Sequence, residues 1–271
     1  MQAGRWGKPI SIAALLGCLT LGPAVAPAQD MLRYLDLKSE EFTKADLTRA
    51  ELEAALAAAA PTSLVDLSGK RLNGLDLSAL DLRRTKLQAA RLNNAKLAGS
   101  NLDGVVLDQA WALGADLTGA TLRGASLFAT QLMGARLDRA DFSQARVAAD
   151  LTGASLIEAR FDGANLSADM RNQSMGLMRG VLRSAKLDRA SFADANLARV
   201  VLEFASLREA NLRGAKLTGA ELAGADFAGA DVTDADFEGA DATSARLLGL
   251  KGRAEARNFE RMRNRERAFL D

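Results

Sequence analysis

Large apolar residues return at every fifth position through most of this chain. From Leu67 to Val147 the 17 slots of that period hold 14 leucines, the others being Ala112, Phe142 and Val147. A second run, Leu177 to Leu247, has 15 slots: ten leucines, Phe192, Phe227, Phe237, Val232 and Ala242. The position two before each large residue is small. From Ala185 to Ala245, 12 of 13 such positions are alanine and Val200 is the exception. The residue between is usually polar or charged, as in Ala210-Asn211-Leu212 and Ala225-Asp226-Phe227. Two places after the large residue glycine recurs, as at Gly104, Gly119, Gly214 and Gly239.

A period of five matches neither the 3.6-residue turn of a helix nor the two-residue repeat of a strand. It fits a solenoid in which five residues make one side of a coil. The large residue and the small one before it point inward, and the other three point out. The interior corner has room only for alanine, and glycine sits where the chain turns. Coils then stack through parallel backbone hydrogen bonds around a column of leucine and phenylalanine. These A-(D/N)-L-x-x units resemble the pentapeptide-repeat family over about two thirds of the chain. The resemblance implies an all-β solenoid, a right-handed quadrilateral parallel β-helix, here spanning residues 64–249. At four slots per coil it implies about nine coils, or roughly 43 Å at the ~4.8 Å spacing of neighbouring strands.

The register slips twice. Val147 to Leu151 is a step of four; Leu151, Leu156, Phe161 and Leu166 then run normally, and Leu177 follows eleven residues later. The stretch Ser167 to Met175 reads as an irregular side or protruding loop. It is either a tolerated bulge or a kink that re-aims one face toward a partner. Both ends of a solenoid need caps. Thr48-Arg49-Ala50-Glu51 matches a capping box, Leu52, Leu56 and Ala59 follow at helical spacing, and Pro61 marks a stop. A short capping helix over 48–60 is predicted, within an N-terminal segment 29–63. Leu37, Phe42, Leu47 and Leu52 also fall five apart, but the helix signals after Thr48 are stronger. Residues 250–271 form the C-terminal segment; from 251 it carries seven bases and four acids, with Phe259, Met262, Phe269 and Leu270 near one helical face. A helical cap is predicted there. Since some family members pair through their C-terminal segment, the resemblance offers a homodimer as the alternative.

The first 28 residues read as a secretory signal: Arg5 and Lys8, an apolar run Ile10 to Leu21, then small residues up to a cut after Ala28. The apolar run is short for a transmembrane helix, so no transmembrane segment is expected in the mature chain. Leu15-Leu16-Gly17-Cys18 gives a second reading, a lipobox with Cys18 lipidated. The first reading makes the protein periplasmic or secreted, the second a membrane-anchored lipoprotein. Cleavage after Ala28 removes two bases and no acid, turning a net charge of +1 into −1.

The chain has no histidine and one cysteine. This removes the usual acid–base residue, the usual Ser–His pairing, disulfides within the chain and cysteine zinc sites. No catalytic, cofactor-binding or metal residue is assigned, and no cofactor is expected. Charge is banded. Glu221, Asp226, Asp231, Asp234, Asp236, Glu238 and Asp241 have no base among them, whereas Lys70, Arg71, Arg83, Arg84, Lys86, Arg91 and Lys96 face only Asp76 and Asp81. Solubility accounts for the bands; electrostatic docking or end-to-end association is the sharper reading. Apolar residues at outward positions are more informative. Val106, Trp111, Leu113, Phe128 and Met133 should lie outside the column as a candidate interaction patch. The function expected is a non-catalytic scaffold or protein-binding module of the bacterial cell envelope. The family's best-known members resemble duplex DNA in shape and charge and bind DNA gyrase, so a cytoplasmic, DNA-mimicking topoisomerase-binding protein is the alternative. The export signal and the single acidic band depart from it, and no nucleic-acid partner is expected.

Overall fold

Backbone hydrogen bonds tie each residue of the column to one about 20 positions away. The computed structural model describes residues 35–60, 62–168 and 178–271; residues 1–28, whose sequence reads as a secretory signal with Cys18 as the alternative lipidation site, most of the Ser167–Met175 stretch, and Leu177 lie outside them. Strand β1 (Val65–Asp66) pairs in parallel with β2 (Thr85–Lys86). From there four ladders of single bridges climb the column. Face 1 carries Lys86, Val106, Ser126 and Arg146; face 2 carries Arg71, Arg91, Trp111 and Gln131. Face 3 carries Asp76, Lys96, Asp116 and Arg136; face 4 carries Asp81, Asn101, Thr121 and Asp141. Twenty residues over four ladders make five per side, which is the period of the sequence.

One side shows why the five positions differ. The Asp116 amide donates to the Ala95 carbonyl below (2.9 Å) and the Leu117 amide to the Arg136 carbonyl above (2.7 Å). Gly119 takes φ +65°, and the Ala120 amide closes the turn on the Leu117 carbonyl (3.0 Å). That is a type II turn, whose third residue must have positive φ. The Thr118 amide has no coil partner, and Asp116 Oδ1 accepts it at 3.1 Å together with the Thr118 hydroxyl at 2.6 Å. The same Asx bond recurs from Asp66, Asp76, Asn101, Asp141 and Asp231. The aspartates and asparagines of the repeat therefore satisfy a turn amide as well as face water. Elsewhere an acid one coil below takes over: Asp103 accepts the Arg123 amide and Asp138 the Ile157 amide.

The inward positions form the core. Among the described residues, the large residues of the period from Leu72 to Leu247 are buried, with the alanines beside them. Where Thr85, Ser100 and Thr130 replace alanine, each hydroxyl donates to a carbonyl, of Leu82, Leu97 and Leu107 respectively. Phe142, Phe161 and Phe192 stack on successive coils at 4.8 and 4.9 Å with nearly parallel rings.

Both register slips fall on the corner between faces 1 and 2, in consecutive coils. Arg146 to Asp150 is the short side and Asn165 to Val181 the long one. Their neighbours absorb the change: Ala148 and Ala149 are both buried, and the Val181 amide bonds the Ala149 carbonyl at 2.9 Å. Gly180 stands where an alanine would, because a Cβ there would press on Leu166 and on Val200 Cγ2 at 3.1–3.2 Å. Val200, the exception among the alanines, is the larger partner of this smaller residue.

A helix with a capping box packs on the N-terminal end of the column. Helix α2 (Arg49–Ala58) has both reciprocal bonds between Thr48 and Glu51, and Leu52 is buried on the first coil. Arg84 donates to the Leu56 and Ala60 carbonyls at its C-terminal end, and Arg49 reaches the Asp76 and Ser78 carbonyls. A shorter helix, α1 (Glu40–Thr43), precedes it.

The C-terminal end differs from the helical cap expected. Lys251, Arg257, Arg263 and Phe269 continue the four ladders on Asp231, Asp236, Asp241 and Arg246. The steps are now six residues, the extra one taken up in short 3-10 turns at Phe259–Arg261 and Arg265–Arg267. Strand β3 (Arg246–Leu247) pairs with β4 (Phe269–Leu270) to finish this wider coil. Phe259 and Met262 close the core, Phe259 edge-on to Phe237 at 5.5 Å.

Two substitutions test this packing. Phe161→Ala opens a cavity inside an aromatic stack, and urea denaturation should show a loss of about 3–5 kcal/mol. Gly252→Ala forces a Cβ to 2.7 Å from Thr233 Cα at φ +68°. The left-handed backbone alone costs roughly 1–2 kcal/mol. Hydrogen exchange at the Lys251 and Arg257 amides, which bond Ala230 and Ala235, should accelerate before that of the central coils.

Candidate interaction surface

The five outward apolar residues gather around face 2. Trp111 stands on that face between Arg91 and Gln131. Phe128 lies on the corner toward face 1; Leu113 and Met133 lie on the corner toward face 3, one coil apart, with the Gly114 amide bonded to the Met133 carbonyl at 3.1 Å. Val106 stands on face 1 and is 39 % exposed; the other four are half-buried. Farther along face 2, Val181 and Val201 are buried at outward positions. Arg179 stretches beside them to the Arg199 carbonyl and to Glu221, both at 2.9 Å.

Two of the patch residues are already engaged. The Arg146 guanidinium lies 5.3 Å from the centre of the Phe128 ring. Trp111 is met edge-on by Phe42 of α1 at 5.4 Å. Arg91 lies against both rings, 5.1 Å from Phe42 and 5.4 Å from Trp111, and pairs with Glu41. Phe42 is 6 % exposed. Phe42 is buried against the outside of a face and not in the core of the column, so its place five residues from Leu37 and Leu47 does not extend the repeat.

Sequence reasoning did not find Phe204, which is 66 % exposed. It sits at a positive-φ turn position, and its ring covers Gly224 closely enough that a Cβ there would fall 2.6 Å away. The glycine 20 residues on was the available signal. A cavity of about 590 Å³ lies beside Phe259, whose ring carries the Arg253 and Arg265 guanidiniums at 5.1 and 5.6 Å. Among the described residues, no three His, Cys, Asp or Glu side chains come together as a metal-sized group, and no helix is long and apolar enough to cross a membrane.

The acidic band is met by bases of the next coil. The acidic rungs Asp231, Asp236 and Asp241 carry Lys251, Arg257 and Arg263 directly above them. Asn258 and Asn264 donate to Asp236 and Asp241 at 2.9 and 3.0 Å. Burial pushes Asp241 up, but the Asn264 side-chain amide, the Thr243 hydroxyl and amide, and Arg263 outweigh it, so its pKa is lowered. Burial likewise opposes ionisation of Asp116, and the Thr118 hydroxyl and amide more than offset it.

The fold defines a four-sided parallel β-solenoid. Five overlapping matches to the pentapeptide-repeat model, between residues 100 and 168 and between 185 and 251, cover more than half of the chain. The chain belongs to the pentapeptide-repeat family, whose members fold as right-handed quadrilateral β-helices. Among solved structures it is similar to HetL, a pentapeptide repeat protein involved in heterocyst differentiation regulation from the cyanobacterium Nostoc sp. strain PCC 7120. The two are 26 % identical over 82 % of this chain and 94 % of that one, with a TM-score of 0.40. QnrB1, a plasmid-mediated fluoroquinolone resistance protein, is 16 % identical over 77 % of this chain and 92 % of its own, with a TM-score of 0.45. Rfr23 from the cyanobacterium Cyanothece 51142 is 23 % identical over 45 % of this chain and 91 % of its own, with a TM-score of 0.26. No curated protein sequence matches the chain.

The lowered aspartate pKa values set a pH dependence. A carboxylate depressed in the folded state contributes stability that is complete above its ordinary value of 3.8 and is lost as pH falls through the folded value. The urea midpoint should therefore drop below pH 3.8. Asp116→Asn keeps an acceptor for the Thr118 amide but does not titrate, so its midpoint should fall less steeply with acid than that of the unaltered chain.

Proposed function

We propose that this protein is a non-catalytic scaffold of the bacterial cell envelope that binds a protein partner along face 2 and its corners. One observation carries the reading: Val106, Leu113, Phe128 and Met133 cluster apolar side chains outside successive coils, where most outward positions hold polar or charged groups and turn-capping acids. Apolar side chains held outside a rigid column are what a protein interface uses. Residues 1–28 support an envelope location through their secretory pattern, with Cys18 as the lipidation site in the alternative form. The acidic band opposes a DNA-like surface, because the C-terminal coil places three bases on its rungs.

The test is capture of partners from envelope extracts by the unaltered chain and by the triple variant Val106→Ser, Phe128→Ser, Met133→Ser. Val106 is 39 % exposed and Phe128 and Met133 are half-buried outside the core, so each substitution should cost about 1 kcal/mol, and a cooperative urea transition of the variant shows that the column still stands. A partner captured by the unaltered chain and lost by the variant is expected, from cells in which the mature protein begins at Gln29. A cytoplasmic protein retaining residues 1–28, or identical capture by both forms, overturns the reading.

A further inference from the structure

We propose that Arg91 and Trp111 form a clamp for an acidic–aromatic segment of a partner, and that Glu41–Phe42 of the chain itself occupies this clamp in cis. The proposal rests on face 2 being a docking face and names what one end of it recognises.

The occupant identifies the chemistry. Arg91 offers its guanidinium to the Phe42 and Trp111 rings and pairs through Nη2 with Glu41, so one cation binds an aromatic ring and the carboxylate beside it. Trp111 supplies the second wall, edge to face with Phe42. Cation–ring and carboxylate contacts of this kind select an aromatic residue adjacent to an acid. The seat is incompletely used: among the described residues, the buried Arg91 Nε has no hydrogen-bond partner. A partner carboxylate free to approach in the plane of the guanidinium can take both Nε and Nη2, the bidentate arrangement that Glu41 does not make.

The occupying segment is also weakly held. Helix α1 has four residues, and its N-cap Ser39 makes no side-chain bond. Glu41 is more than half exposed. Apart from Phe42 and Glu41, α1 is tied to the column by Asn73, which donates to the Glu41 and Lys44 carbonyls. A backbone pairing with the column begins at Ala45, which bridges Leu72. There Asp46 accepts the Arg71 amide at 2.8 Å and donates its own amide to the Arg71 carbonyl at 2.7 Å. Release of α1 would leave that anchor and α2 in place. It would uncover Trp111 beside Leu113, Phe128 and Met133. A tethered segment competes at high effective concentration, so it suppresses weak ligands and yields to one that binds the clamp better.

The experiment uses the purified mature chain from Gln29, whose sole tryptophan is Trp111. The probe is a synthetic peptide with the sequence of residues 38–45. Added to the Glu41→Ala, Phe42→Ala variant, it should shift Trp111 fluorescence saturably. It should bind that variant at least tenfold more tightly than the chain with its own segment intact, and Arg91→Ala should abolish the response. A peptide whose phenylalanine is replaced by alanine should be inert. Equal affinity for the two forms, or no response in the variant, overturns the proposal. Should the variant lose its cooperative melt, excess peptide on the otherwise unaltered chain must accelerate hydrogen exchange at the Phe42 and Lys44 amides. Unchanged exchange overturns the proposal as well. If the peptide is inert while envelope capture still requires Val106, Phe128 and Met133, the docking face stands and only the clamp falls.

Discussion

Hydrogen bonding between residues about 20 apart is the constraint on which the rest of this molecule depends. Every coil lends its amides and carbonyls to the next, so each side chain has fixed neighbours one coil below and one above. The consequences reach well beyond the backbone. Phenylalanines at 142, 161 and 192 become a stack because the ladder superimposes them. On face 3 the ladder sets acids beside bases, Asp76, Lys96, Asp116 and Arg136, opposite charges a strand spacing apart, whereas on face 2 it stacks Arg71 on Arg91 and Glu221 on Asp241. Turn residues with large side chains, such as Asp194 and Phe204, are followed 20 positions later by Gly214 and Gly224, since their side chains lean over that site.

The same constraint explains how irregularity is tolerated. One residue removed from a side moves every later residue relative to the coil below unless the change is absorbed within that side. Here the deletion near Ala148 and the insertion before Val181 share one corner and lie on consecutive coils. The three other faces pass through undisturbed, and the phenylalanine stack on face 4 spans the region. Gly180 and Val200 complete the repair by exchanging volume. A core at crystal-like density admits this only when a smaller residue is matched by a larger neighbour.

Much of this was legible in the sequence because the period states the stacking directly. Inward and outward positions follow from it; the N-terminal helix is legible on separate grounds, a capping box of four adjacent residues from Thr48 to Glu51. The C-terminal coil was misread for a related reason. Lys251, Arg257, Arg263 and Phe269 repeat every six residues, so a search at five finds nothing, and apolar residues near one helical face suggest a helix. The better signal was the residue after each of the first three: Gly252, Asn258 and Asn264 all have positive φ, and glycine and asparagine are the residues that tolerate it. The engagement of Trp111 by Phe42 could not be read at all. The two are far apart in sequence and belong to different periodicities, and only the path of α1 across face 2 brings them together.

That path also changes what the outward residues mean. An apolar residue outside a solenoid can be covered by a partner, by the chain itself, or by nothing. Val106 on face 1 and Trp111 on face 2 follow the same repeat at successive rungs, yet one is open and the other sits under Phe42. The charge bands pose the same question. The acids at 231, 236 and 241 look unopposed along the sequence but meet Lys251, Arg257 and Arg263 one coil later. In a solenoid, distance along the chain therefore misleads in a regular way, because the partner of any surface group is first to be sought one coil away. Groups still exposed after that comparison, Val106 and Phe204 among them, are the ones the column itself does not explain.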